Sequence, residues 1–221
     1  MRGLRASHNQ AAAKKRVSRL AVASTPVPTL SDLAAEAAGC VRCALAAGRT
    51  TVVFGEGDPG AALMVVGEGP GRDEDLQGRP FVGRSGKLLD RLLAEEAGLR
   101  RDEVYIANVV KCRPPGNRDP LPAEIAACRP YLDGQVSLIA PRVVLTLGNF
   151  ATRALLGTTE GVTRLRGRTY PWAAGGAATV IVPTFHPAAA LRGGGEILAA
   201  MRADVVRARE LLEPAAEREG R

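Results

Sequence analysis

Four short apolar runs recur along the chain, at residues 62–66, 104–107, 142–147 and 179–182. They lack polar alternation, which is the pattern of strands buried on both faces. Around them the apolar positions switch to the three-to-four-residue recurrence of helices, at 30–38, 85–97, 122–138, 149–156 and 197–212. Thr29 or Ser31 is placed to cap the first of these. Strands alternating with helices predict an α/β fold, a single three-layer αβα domain around a central, mostly parallel four-stranded sheet. Ligands bind such sheets beyond the carboxyl ends of the strands. The residues just past each run are Gly67-Glu68-Gly69-Pro70-Gly71, Asn108, Gly148-Asn149 and, a little later, His186.

Composition changes this picture only at the ends. The chain has 221 residues, 46% of them hydrophobic, enough for an ordinary core. Its formal charge of +7 is concentrated, because six basic residues and no acidic one precede Ser24. We therefore expect a disordered basic tail over residues 1–28, one domain over 29–213, and a short C-terminal tail over 214–221. No run of about 20 apolar residues occurs and no secretory signal opens the chain, so the expectation is a cytoplasmic protein with no membrane partner.

All four cysteines fall into one arrangement. Cys40 and Cys43 are separated by two residues, and fifteen residues lie between Cys112 and Cys128. Two pairs brought together by a fold supply four soft ligands, the pattern of a metal or iron–sulfur site. The competing readings are four unrelated buried thiols or two disulfides, and a reducing compartment disfavours the second. Spacing alone leaves zinc and an iron–sulfur cluster both open.

Two nucleotide signatures fail. The glycines of 67–71 lack the spacing of a dinucleotide fingerprint, and Gly86-Lys87 has no glycine five positions upstream, so it is not a phosphate-binding loop. What remains is a Gly- and Pro-rich stretch, 67–83, carrying Glu68, Asp73, Glu74, Asp75 and Phe81. A carboxylate at a strand end can position water, and glycine lets backbone approach a ligand closely. Histidine is scarce: His8 sits in the tail, whereas His186 follows the last strand and suits a hydrogen-bond donor or electrostatic stabiliser.

Three blocks then match something specific: Gly67-Glu-Gly-Pro-Gly-Arg-Asp-Glu-Asp-Leu-Gln-Gly-Arg-Pro-Phe-Val-Gly83, Tyr105-Ile-Ala-Asn-Val-Val-Lys-Cys-Arg-Pro-Pro115 and Phe185-His-Pro-Ala-Ala-Ala-Leu-Arg192. With the cysteine spacing, they closely resemble the family 4 uracil-DNA glycosylases over roughly residues 30–212. The resemblance implies a uracil-DNA glycosylase-like fold and a monomer acting on uracil-containing DNA, single- or double-stranded. It also implies a [4Fe-4S] cluster held by Cys40, Cys43, Cys112 and Cys128.

By the same resemblance, Glu68 orients water or stabilises the sugar cation, and His186 stabilises the departing uracil anion. Gly69 closes on the base, Phe81 stacks on it, Asn108 reads its amide edge, and Glu74 crowds the position of thymine's methyl. Leu191 and Arg192 contact DNA. The family's Ser, Tyr and Leu after His-Pro are here Ala188, Ala189 and Ala190, which implies weaker DNA engagement. A covalently trapping relative carries an extra histidine after the second block; this chain has none there, so turnover is expected. Two alternatives stand beside this reading, a non-catalytic DNA-binding module with structural zinc and a glycosylase of wider deaminated-base specificity.

Overall fold

The structure is a computed structural model that describes residues 28–174 and 177–213. Residues 1–27 and 214–221, where the two tails are expected, lie outside the described residues. Its strands are β1 (Glu56–Gly57), β2 (Leu63–Gly67), β3 (Tyr105–Asn108), β4 (Val143–Leu147), β5 (Tyr170–Ala174) and β6 (Ala177–Thr184). They form one sheet in the order β1-β3-β2-β4-β6-β5. The four inner strands are mutually parallel and coincide with the four apolar runs, while β1 and β5 are antiparallel edges.

Both edge strands escape the apolar-run signal for physical reasons. β1 is a two-residue Glu-Gly segment, and β5 carries Pro171, which cannot donate to a ladder and is tolerated at a sheet edge.

The helices are α1 (Leu30–Ala38), α2 (Arg72–Gln77), α3 (Arg84–Leu92), α4 (Pro122–Ile139), α5 (Gly148–Leu156), α6 (Val162–Leu165), α7 (Pro187–Gly193) and α8 (Gly195–Leu212). Five of them correspond to the periodic stretches. The stretch 85–97 splits, because α3 passes at Leu92 into a π-helical turn that keeps Leu93 and Ala97 buried. α2, α6 and α7 have seven residues or fewer, too short to display a helical period. Of the two possible caps on α1, Thr29 does the capping: its hydroxyl accepts from the Asp32 amide at 3.2 Å, and the Asp32 carboxylate accepts from the Thr29 amide at 2.9 Å.

Alternation along the inner strands divides the core in two. Met64, Val66, Ala107, Val144 and Ile181 face one layer of helices, including α1, α4 and α5. Leu63, Val65, Ile106, Leu145 and Val182 face the other, formed by α3 and α8. The register then aligns the strand ends. Gly67 pairs with Asn108, and Leu147 with Thr184, so the polar residues that follow emerge along one edge.

Candidate active site and cysteine cavity

That edge opens into a cavity of about 840 Å³. Glu68, Gly69, Glu74, Phe81, Asn108, His186, Leu191 and Arg192 all line it, so the fold gathers every candidate named for substrate and DNA from three separate segments. Asn108 ends β3 and is 1% exposed. Its Oδ1 is buried without a hydrogen-bond partner. A buried acceptor left unpaired is costly unless something arrives to satisfy it.

Beside Asn108 stands Phe81, whose backbone lies in the left-handed region at φ 52°. A bulky residue there is strained, and such strain persists only where surrounding contacts over-determine it. The contacts are present. Arg101 donates to the Phe81 carbonyl at 3.2 Å and also to the Pro80 carbonyl, while binding Asp90 at 3.0 Å and Glu56 at 2.6 Å. Glycine is required opposite, since a Cβ on Gly67 would fall 2.5 Å from both Asn108 Oδ1 and Phe81 Cζ. The Phe81 ring also faces His186, with centroids 5.8 Å apart and planes tilted by 33°.

His186 caps α7, its Nδ1 accepting from the Ala188 amide at 3.2 Å. Nδ1 is therefore unprotonated, and the ring proton sits on Nε2 as a donor. Burial first, then the charge of Arg192, pulls its pKa down to about 4, with Glu74 opposing. The ring is neutral near pH 7. Glu68 goes the other way: burial, followed by the charge of Asp119, pushes its pKa up to about 7. One group is thus held neutral as a donor, and the other is poised to ionise near neutrality.

Glu74 is committed to backbone. Its carboxylate accepts from the amides of Gly71 (3.1 Å), Val82 (2.9 Å) and Gly83 (3.1 Å), latching the loop that carries Phe81. Leu191 and Arg192 lie exposed at the end of α7.

Sequence reasoning passed over several lining residues, among them Arg84, Asn117, Phe150 and Phe185. Asn117 adopts φ 56°, and its position after Pro114-Pro115-Gly116 was the available signal, since asparagine tolerates that turn conformation.

The four cysteines are free thiols and line a second cavity with Arg49, Lys111 and Tyr131, so the disulfide reading fails. The Lys111 amide donates to Cys128 Sγ at 3.2 Å, and Arg49 donates to Cys112 Sγ at 3.5 Å. Burial pushes the Cys112 thiol up to about 11 and raises Cys128 as well. Among the described residues, no three His, Cys, Asp or Glu side chains converge on one ion-sized position. The donor chemistry fits an iron–sulfur cluster: four thiols on a shared cavity, two of them buried and two half-buried, with N–H donors already directed at two sulfurs.

Residues 54–210 match the family model described as the uracil DNA glycosylase superfamily. The chain belongs to that superfamily, in its type-4 family. It is 47% identical over 167 residues to the type-4 uracil-DNA glycosylase of Sulfurisphaera tokodaii, covering 74% of this chain and 76% of that protein. It is 44% identical over 176 residues to the type-4 uracil-DNA glycosylase of Thermotoga maritima, covering 79% and 90% respectively. The type-4 uracil-DNA glycosylase of Saccharolobus solfataricus is 46% identical over 166 residues, covering 73% of this chain and 77% of that protein. Among the described residues, no helix is long and apolar enough to cross a membrane.

Proposed function

We propose that this protein removes uracil from DNA by hydrolysing the N-glycosidic bond, leaving an abasic site for base-excision repair. The observation that carries the reading is the unpartnered Oδ1 of Asn108, buried beside Phe81 at the end of β3. A carboxamide there accepts from the uracil ring N–H and donates to the adjacent carbonyl. Cytosine presents the opposite pattern and leaves both groups unpaired. The base has to leave the duplex to reach this depth, and Phe81 offers it a stacking face.

Bond cleavage leaves a uracil anion and an oxocarbenium-like sugar. The Nε2 proton of neutral His186 is directed to stabilise the anion as charge develops. Ionised Glu68 orients the attacking water and stabilises the sugar cation, and the Gly69 backbone closes on the base. Glu74, latched to three amides, forms the wall that crowds thymine's methyl. Leu191 and Arg192 meet the strand, with Ala188 and Ala189 adding little bulk.

Cys40, Cys43, Cys112 and Cys128 would hold a [4Fe-4S] cluster, which supplies a cross-link between the N-terminal segment and the stretch from β3 to α4. The enzyme works as a monomer in the cytoplasm. Incubation with an oligonucleotide bearing one uracil, followed by alkali, tests the reading: strand scission at the uracil is expected. An intact strand with folded protein would sink it and favour a non-catalytic DNA-binding module; colour and iron content then separate cluster from zinc.

A further inference from the structure

Lys111 lies between the cysteine cavity and the base-reading edge, and neither the cofactor nor the chemistry assigned above uses its side chain. It is 1% exposed, a rare state for an ammonium. Its partners are neutral. Nζ donates to the Asn108 carbonyl at 2.7 Å and to Gln135 Oε1 at 2.5 Å, and it sits 5.9 Å from the centre of the Phe54 ring. Gln135 is itself anchored, its amide donating to the Phe54 carbonyl at 2.8 Å and to the Tyr105 hydroxyl at 3.3 Å. The backbone of Lys111 is held on the other side, through its amide to Cys128 Sγ at 3.2 Å and its carbonyl accepting from the Val53 amide at 2.8 Å.

We propose that Lys111 is a positioning residue for Asn108: its ammonium fixes the Asn108 carbonyl, and so the carboxamide that reads uracil, against the wall of the cysteine cavity. Burying a lysine among neutral groups costs stability that an apolar side chain would not. Here that cost fixes a geometry. The β2 ladder holds the N–H side of this stretch, with the Val109 and Val110 amides donating to the Gly67 and Glu68 carbonyls at 2.9 and 3.0 Å. The charge-assisted bond at 2.7 Å adds a second restraint on the carbonyl of the reading residue itself, just where the strand ends and the chain turns toward Cys112. The inference rests on the reading of Asn108 as the group that recognises the base.

The test uses cluster-loaded protein and a labelled oligonucleotide bearing 2′-fluorodeoxyuridine, a slow substrate analogue whose binding is followed by anisotropy, beside the same strand with thymine. Lys111→Met keeps the stem and removes the ammonium. The expected result is a loss of affinity for the uracil strand of about ten- to a hundredfold, the range of one charged hydrogen bond, with the thymine strand unchanged. In an Asn108→Ala background the same substitution should add less than about twofold, because its effect passes through Asn108.

Equal losses on both strands, an undiminished loss in the Asn108→Ala background, or no loss at all would overturn the proposal. If Lys111→Met does not fold, Gln135→Met leaves the ammonium in place but frees its direction. That variant should weaken uracil binding selectively, and unchanged selectivity would overturn the proposal equally. Wild-type protein that releases no uracil condemns the function instead, so the two failures are distinct.

Discussion

Glu68 is the group whose state should set the pH dependence of this enzyme, and Glu68→Gln isolates it. Its pKa is raised from an ordinary 4.5 to about 7, by burial first and by the charge of Asp119 second. For an acid the sign is that folding favours the protonated form. The ionised carboxylate therefore costs nothing below about pH 4.5 and destabilises the fold increasingly as pH rises through 7. Because the group is only half buried, solvent screening reduces the full value of the shift to about 1–2 kcal/mol at pH 8.5.

Glu68→Gln should accordingly raise stability by about 1–2 kcal/mol at pH 8.5 and by almost nothing at pH 4.5, measured by denaturant titration at both. Activity should move the opposite way. Water orientation needs the carboxylate, so wild-type kcat/KM for a uracil strand should climb with pH and level off above about 7. The variant should be flat and lower by about a hundredfold or more. His186 contributes no limb in this window, since its pKa lies near 4. A wild-type profile that is level from pH 5.5 to 8.5, or a stability gain equal at both pH values, would refute the reasoning.

Three further outcomes follow from the geometry. Gly67→Ala places a methyl 2.5 Å from both Phe81 and Asn108 and should cut uracil release by about a hundredfold, read in single-turnover assays. Unchanged rates would mean that the base lies elsewhere. Arg101→Met releases the carbonyls of Pro80 and Phe81 and unpairs Asp90, while Glu56 keeps Arg79, so stability should fall by about 2 kcal/mol and uracil release should weaken. A wild-type melting curve would count against the clamp. Cys112→Ser removes one thiol of the cysteine cavity and should lower both iron content and Tm, measured on anaerobically purified protein; full iron retention would exclude Cys112 as a ligand.

The inner sheet was legible because its strands are apolar on both faces. Asn108 and His186 were legible for the same reason, as polar residues placed where an apolar run stops. Edge strands and short helices were not, because two residues such as Glu56-Gly57 or seven such as Pro187–Gly193 carry no period. Electrostatic roles were invisible too. Nothing in the sequence places the charge of Asp119 near Glu68, or sets the Arg101 guanidinium on the carbonyl of a residue twenty positions away. Glu74 lines the cavity and also has a local duty that the sequence hides, since its bonds to the Val82 and Gly83 amides arise only once the loop has closed.

Cysteines remote from the cavity at the strand ends still bear on it, because the chain that lines their own cavity also holds the loop that carries Glu74 and Phe81. Arg49 donates to the Cys40 carbonyl at 2.6 Å and to Cys112 Sγ at 3.5 Å, bridging both cysteine pairs. The next two amides, of Thr50 and Thr51, donate to the Asp75 carboxylate at 2.9 and 3.3 Å, and Asp75 is a 2%-exposed residue of α2. α2 also carries Glu74, which latches the turn around Phe81. Three consecutive residues thus tie the cysteine cavity to the loop that carries Phe81, while Lys111 ties it to Asn108 beside that ring. On the function proposed above, a cross-link at the cysteines would constrain both Phe81 and Asn108 without any of the four sulfurs lining the cavity at the strand ends.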